Sequence, residues 1–190
     1  MLFSENPADR VMIFIDLANV QKAVRNKETS GFRLDYFRLV NELAGPRRLI
    51  GAYVFDAIST SDRSSFDPKR RLLDALRFQG FRVIAREVNY GEEGQQKEVD
   101  VALATELVTC ALRDVFDVAI VVSGDRDFVP AVERVRSEGK RVEVAFFGNA
   151  PLPGEKTSFS QYLQKVADRV HNMDELPVLQ VITSDSSEGP

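Results

Sequence analysis

Only one cysteine, Cys110, and one histidine, His171, occur among the 190 residues. A lone cysteine excludes an internal disulfide and a cysteine-based metal cluster; inside a predicted helix it reads as a small buried apolar residue. A lone histidine beyond the last predicted helix reads as a surface residue, and no Ser-His-Asp or Cys-His mechanism assembles around it. No apolar run approaches the length of a membrane span. The opening MLFSENPADR lacks the basic start and apolar core of a signal peptide, which points to the cytoplasm and away from membranes. A net charge of −4 excludes a wholesale basic footprint for nucleic acid, so a polyanion would have to be held by local patches.

What the chain does have is alternation of apolar runs with amphipathic stretches. Residues 1–10 read as a lead-in. Val11 to Ile15 is a buried strand ended by Asp16, and Leu17 to Arg33 reads as a short helical start followed by a loop. A helix is predicted from Leu34 to Leu43, with Leu34, Phe37, Leu39 or Val40, and Leu43 inward, closed by Gly45-Pro46. Leu49 to Phe55 is the second strand, Asp56 to Pro68 a turn-rich loop, Lys69 to Gln79 a helix and Phe81 to Arg86 the third strand. Glu87 to Glu98 is too polar to pack and reads as a loop or short hairpin. Val99 to Arg113 reads as a largely buried helix whose polar residues Thr105, Glu106, Thr109 and Arg113 share one stripe. Asp100 falls outside that stripe, and a carboxylate on an apolar face needs a partner.

The stretch DVAIVVSGDRDFVPAVERVRSEGKRVEV, from Asp117 to Val144, is a strand, a tight turn, a helix closed at Gly139, and a further strand from Arg141 to Phe146. Ser158 to Arg169 is the last predicted helix, with Phe159, Tyr162, Leu163 and Val166 inward. Val170 to Val181 reads as a short strand or edge segment. Five strands alternating with helices predict a three-layer α/β/α sandwich with a mainly parallel central sheet, formed by residues 11–173. Residues 174–190 read as a C-terminal extension ending in a disordered tail. Apolar residues from Val178 to Ile182 suggest a surface for a partner or a homo-oligomer.

In open parallel sheets the ligand crevice lies beyond the carboxyl ends of the strands, which is where Asp16, Asp125 and Asp127 fall. If the first and fourth strands are neighbours, these acids meet, and Asp100 reaches in from the side. Carboxylates without histidine, cysteine or a phosphate-binding glycine loop suit a hard cation such as Mg²⁺ or Mn²⁺ and attack of an activated water on a phosphodiester. Asn19 and Ser123 can orient a carboxylate or the scissile phosphate. Singly, Asp127 reads equally as a helix N-cap and Asp100 as a macrodipole partner. Asp16 and Asp125, at the ends of apolar runs, are harder to dismiss, because a carboxylate there is poorly solvated unless something pairs with it. Lys97 and Arg126 beside the acids, with Lys22 and Arg63 after the first two strands, are candidates for holding substrate phosphates.

With these residues in hand, IDLAN at 15–19, KEVDVALATEL at 97–107 and SGDRDFVPAVERVRSEGKRVEV at 123–144 resemble the NYN domain, in its LabA-like branch of the PIN-like nucleases. The resemblance runs over about residues 11–173. It implies a PIN-like fold and Mg²⁺- or Mn²⁺-dependent cleavage of RNA, with single-stranded RNA as the expected partner. Asp16, Asp100, Asp125 and Asp127 match the family's acidic metal site, Asn19 and Ser123 its polar supports, and Lys97 the lysine ahead of the third acid. Leu17 stands where many members carry glycine, and Glu106 where many carry aspartate. Some members act chiefly as regulators, so a non-cleaving RNA-binding or regulatory module is the alternative.

Overall fold

The computed structural model describes residues 5–28, 32–59, 67–88, 95–147 and 161–181. Its centre is β1 (Arg10–Asp16), whose run from Val11 to Asp16 is buried throughout. A strand buried on both faces must be covered on both, and here it is flanked on each edge as well. β3 (Arg48–Ser59) pairs with one edge of β1 and β5 (Val118–Val122) with the other, both parallel. β4 (Arg82–Val88) extends the sheet beyond β3, while β6 (Arg141–Phe146) and β7 (Arg169–Asn172) extend it beyond β5. The order β4-β3-β1-β5-β6-β7 is a six-stranded, all-parallel sheet. The chain winds outward from β1 on one side, then returns and winds outward on the other. β1 and β5 therefore bound the switch point.

Helices cover both faces, giving three layers. On one side, α1 (Leu17–Glu28), α2 (Tyr36–Ala44) and α3 (Pro68–Phe78) pack Leu17, Val20, Val24, Leu39, Leu43, Leu73 and Leu76 against Val11, Ile13, Ile15, Val54 and Ile120. On the other, α4 (Gln95–Leu112), α5 (Val129–Ser137) and α6 (Gln161–Val166) bury Leu103, Leu107, Val132, Val135 and Leu163 against Met12, Phe14, Phe55, Val121 and Val144. The Phe14 ring stacks on Tyr53, with centroids 5.5 Å apart, and meets Phe116 edge-on. A small antiparallel pair, β2 (Phe32–Leu34) with β8 (Leu179–Val181), lies apart from the main sheet.

Several expectations change. The polar stretch after Asp16 is a twelve-residue helix, because Leu17, Val20, Ala23 and Val24 give it one apolar face for the sheet. Asp35, rather than Leu34, sets the start of α2: its side chain accepts from the Arg38 amide at 2.9 Å. Tyr36 is then inward and Phe37 outward. β3 runs on to Ser59, so Asp56 is a strand residue and fully buried. α4 begins at Gln95, inside the stretch read as a loop, and exposes Val101 and Leu112. Tyr162 is 65% exposed rather than inward. Val178 is buried in the chain's own core, which removes it from any partner surface.

His171, read as a surface residue, is mostly buried and lies 2.7 Å from Glu143 Oε2. Glu143 also accepts from Arg47, at 2.7 and 3.1 Å, and Arg47 donates to the carbonyls of Leu43 and Ala44 at the end of α2.

Candidate active site at the carboxyl ends of β1 and β5

Ile15 is level with Val122 in the parallel register, so the next residues along, Asp16 and Ser123, leave the sheet side by side. The side chains of β1 alternate between the two cores, and after Met12 and Phe14 the alternation turns Asp16 toward the face covered by α4 and α5. Asp16 is 2% exposed. Its Oδ1 accepts from the backbone amide of Asn19 at 3.1 Å and its Oδ2 from the Ser123 hydroxyl at 3.0 Å. Ser123 Oγ in turn accepts from the Asp125 amide at 3.1 Å, and Asn19 Oδ1 accepts from the Gly124 amide at 3.0 Å. The first turn of α1 and the loop after β5 are thereby tied through Asp16, Asn19 and Ser123.

Burial pushes the Asp16 carboxyl up from 3.8 to about 6, against the two hydrogen bonds from Asn19 and Ser123 and with reinforcement from the charges of Asp100 and Asp125. Among the described residues no ion pair compensates it. Asp100, half-buried in the second turn of α4, thus reaches Asp16 electrostatically from the side. Asp125 is half-buried and caps the 3₁₀ turn Arg126–Phe128 by accepting from the Asp127 amide at 3.0 Å. Capping falls to Asp125, and α5 itself starts at Val129; Asp127 is exposed in the turn.

Of the candidate phosphate-holding residues, Arg126 is exposed in that turn, Lys97 is exposed at the start of α4 and Lys22 is exposed on α1; Arg63 lies outside the described residues. A concavity of about 420 Å³ is lined by Arg126, Asp127, Val129, Pro130 and Tyr162, so Asp127 is the one of the four acids that borders it. A larger groove of about 490 Å³ runs between β2, the start of α2, and α3, and none of the four acids lines it.

Asp56 was hidden from sequence reasoning. It ends the apolar run of β3 as Asp16 ends that of β1, one residue past Phe55, which is level with Asp16. That similarity was the available signal. Its Oδ1 accepts from the Ala57 amide and from Lys69 Nζ at 2.8 and 2.9 Å, and its Oδ2 has no hydrogen-bond partner among the described residues. It shares the face of Val54 and Ile58, opposite to Asp16, so it is not part of the acid cluster.

Oxygen donors alone, with one carboxylate raised by burial and further by the charges of two others, are a donor set that suits a hard divalent cation. Among the described residues, no three carboxylate, imidazole or thiolate groups close on a common point as a ready-made cage. Mg²⁺ retains waters and takes one or two carboxylates directly, so the donor chemistry fits without such a cage.

An all-parallel three-layer α/β/α sandwich with a buried acid at the β1–β5 switch point is a PIN-like fold. The NYN domain model matches residues 10–174, and the chain belongs to that family. A crystal structure of a protein of unknown function from Vibrio parahaemolyticus is similar at 26% identity and a TM-score of 0.68, covering 91% of this chain and 98% of that one. No curated protein matches.

Proposed function

We propose that this chain is a metal-dependent ribonuclease of the LabA-like branch, cutting single-stranded RNA internally. The observation that carries the reading is Asp16: a carboxylate 2% exposed at the switch point, raised to about 6 chiefly by its burial, with Asp100 and Asp125 adding negative charge instead of relief. A site that concentrates like charge at the cost of stability is built for a cation. Asp16, Asp100, Asp125 and Asp127 would hold Mg²⁺ or Mn²⁺, which supplies neutralisation of the scissile phosphate and activation of the attacking water. Ser123 and the Asn19 amide fix the Asp16 carboxylate, and Asn19, with its Oδ1 engaged by Gly124, offers a ligand its amide donors. Arg126 and Lys97, with Lys22 and Arg63, hold flanking phosphates.

The test is cleavage of an end-labelled single-stranded RNA with Mn²⁺, Mg²⁺ or EDTA, beside Asp16→Asn and Asp125→Asn. Metal-dependent internal products that fall to background in both folded variants are expected. Equal cutting by parent and variants would sink the reading. The second reading is a regulatory module that binds RNA without cutting it. Binding in EDTA with no product after long incubation in Mn²⁺ would establish that alternative.

A further inference from the structure

The concavity bordered by Asp127 is walled by two elements: the turn that follows Asp125 with the start of α5, and α6. In the six-residue α6, Leu163 takes the core position and Tyr162, one place earlier, stands 65% exposed at the groove. A single exposed aromatic is ordinary by itself. What distinguishes Tyr162 is its company. Arg126 and Asp127 share its groove and follow directly on Asp125, and Lys165 Nζ lies over one face of its ring, 5.8 Å from the centroid, so a stacking base takes the opposite face. An occupant of this groove meets an exposed aromatic ring, the Arg126 cation and the Asp127 carboxylate, with the Lys165 ammonium beside the ring. A flat base on an anionic backbone has that complementarity, because stacking needs only a π face while the cations meet phosphates.

We infer that Tyr162 is the stacking platform for one base of the single-stranded RNA, with Arg126 and Lys165 holding the phosphates on either side of it. This inference rests on the ribonuclease reading for the identity of the ligand and extends it to a nucleotide subsite. Base stacking tolerates sequence, so the subsite orients the strand past the acids without selecting one base.

The chain has no tryptophan, so Y162W carries the sole indole of the protein into the groove. Binding is read in EDTA, where no cleavage interferes, using a short single-stranded oligoribonucleotide and an abasic oligomer of the same length. Quenching of the indole by the oligoribonucleotide but not by the abasic oligomer is expected. Y162A should bind the oligoribonucleotide roughly 5- to 100-fold more weakly than the parent, and Y162F within about twofold. Unchanged circular dichroism and thermal midpoint check that these exposed-site variants fold. Binding without quenching, parent-like binding by Y162A, or equal quenching by the abasic oligomer would overturn the subsite. A parent that cuts RNA while Y162A keeps its KM would overturn the subsite alone. Quenching and weakened Y162A binding in a protein that never cuts in Mn²⁺ would support it while removing the nuclease reading.

Discussion

Asp16 carries opposing demands that a single substitution can separate. Its carboxyl is raised from 3.8 to about 6 in the folded, metal-free chain, so the folded state binds more protons than the unfolded one between those values. Stability contributed by this residue is present below 3.8, falls as pH rises through that window, and leaves a penalty of roughly 3 kcal/mol above it. Asp16→Asn in EDTA should therefore raise the urea midpoint at pH 7 and flatten the decline in stability between pH 4 and 6, while abolishing the cleavage that the ribonuclease reading proposes. An unchanged midpoint would show that the charge is compensated. Ser123→Ala removes one of the two bonds that orient Asp16 and leaves the acid in place. Cleavage is expected to drop about 10- to 100-fold, as for groups that orient a ligand, with the fold intact. Asp16, Ser123 and Asp125 were legible as candidates because each stands where an apolar run stops, and Asn19 because it follows Asp16 by three residues. Asp56 stops a run in the same way and was missed, since its strand is longer than its apolar segment.

At the scale of elements, local chemistry marks boundaries better than apolar spacing does. Asp35 caps α2, and that helix carries Tyr36, Leu39, Val40 and Leu43 into the core. Asp35→Ala should cost about 1 kcal/mol, read as a lower urea midpoint with an unchanged slope. Spacing alone placed the start of α2 two residues early and put Phe37 inward, because Tyr36, one residue and about 100° round the helix, completes a competing apolar face with Leu39, Val40 and Leu43. The same ambiguity put Tyr162 in the core, although Leu163 and Val166 already satisfy a helix of one and a half turns. In α1 the error ran the other way. Four apolar residues suffice to seat a helix when a sheet face awaits them, whatever the polarity of the rest.

Across the whole molecule, a buried ionic network joins parts distant in sequence. Arg47 ends the α2 connection, Glu143 lies in the middle of β6 and His171 in β7. Burial pushes Glu143 up, but hydrogen bonds from His171 and Arg47 outweigh it and hold the carboxyl at about 2, below its ordinary 4.5. Glu143 therefore contributes stability above about pH 4.5 that is lost as pH falls toward 2. Glu143→Gln should flatten the acid limb of the stability curve over that range. Arg47→Met, which strands a buried carboxylate with only His171, is expected to cost about 3 to 5 kcal/mol at pH 7 by urea denaturation. None of this was visible along the chain, since 96 residues separate Arg47 from Glu143.

The sequence by itself determined the alternation of elements and the position of each acid at the end of a strand or the start of a helix. Periods of two and of 3.6 residues, and the residues that interrupt them, are local properties of the chain. Strand order is not local. Only the tertiary structure decided that β1 lies between β3 and β5, and with it that Asp16 stands beside Ser123 and within reach of Asp100, while Asp56 faces away. Which carboxylates share a crevice depends on register and sheet face, and these are settled when both faces of the sheet are buried together.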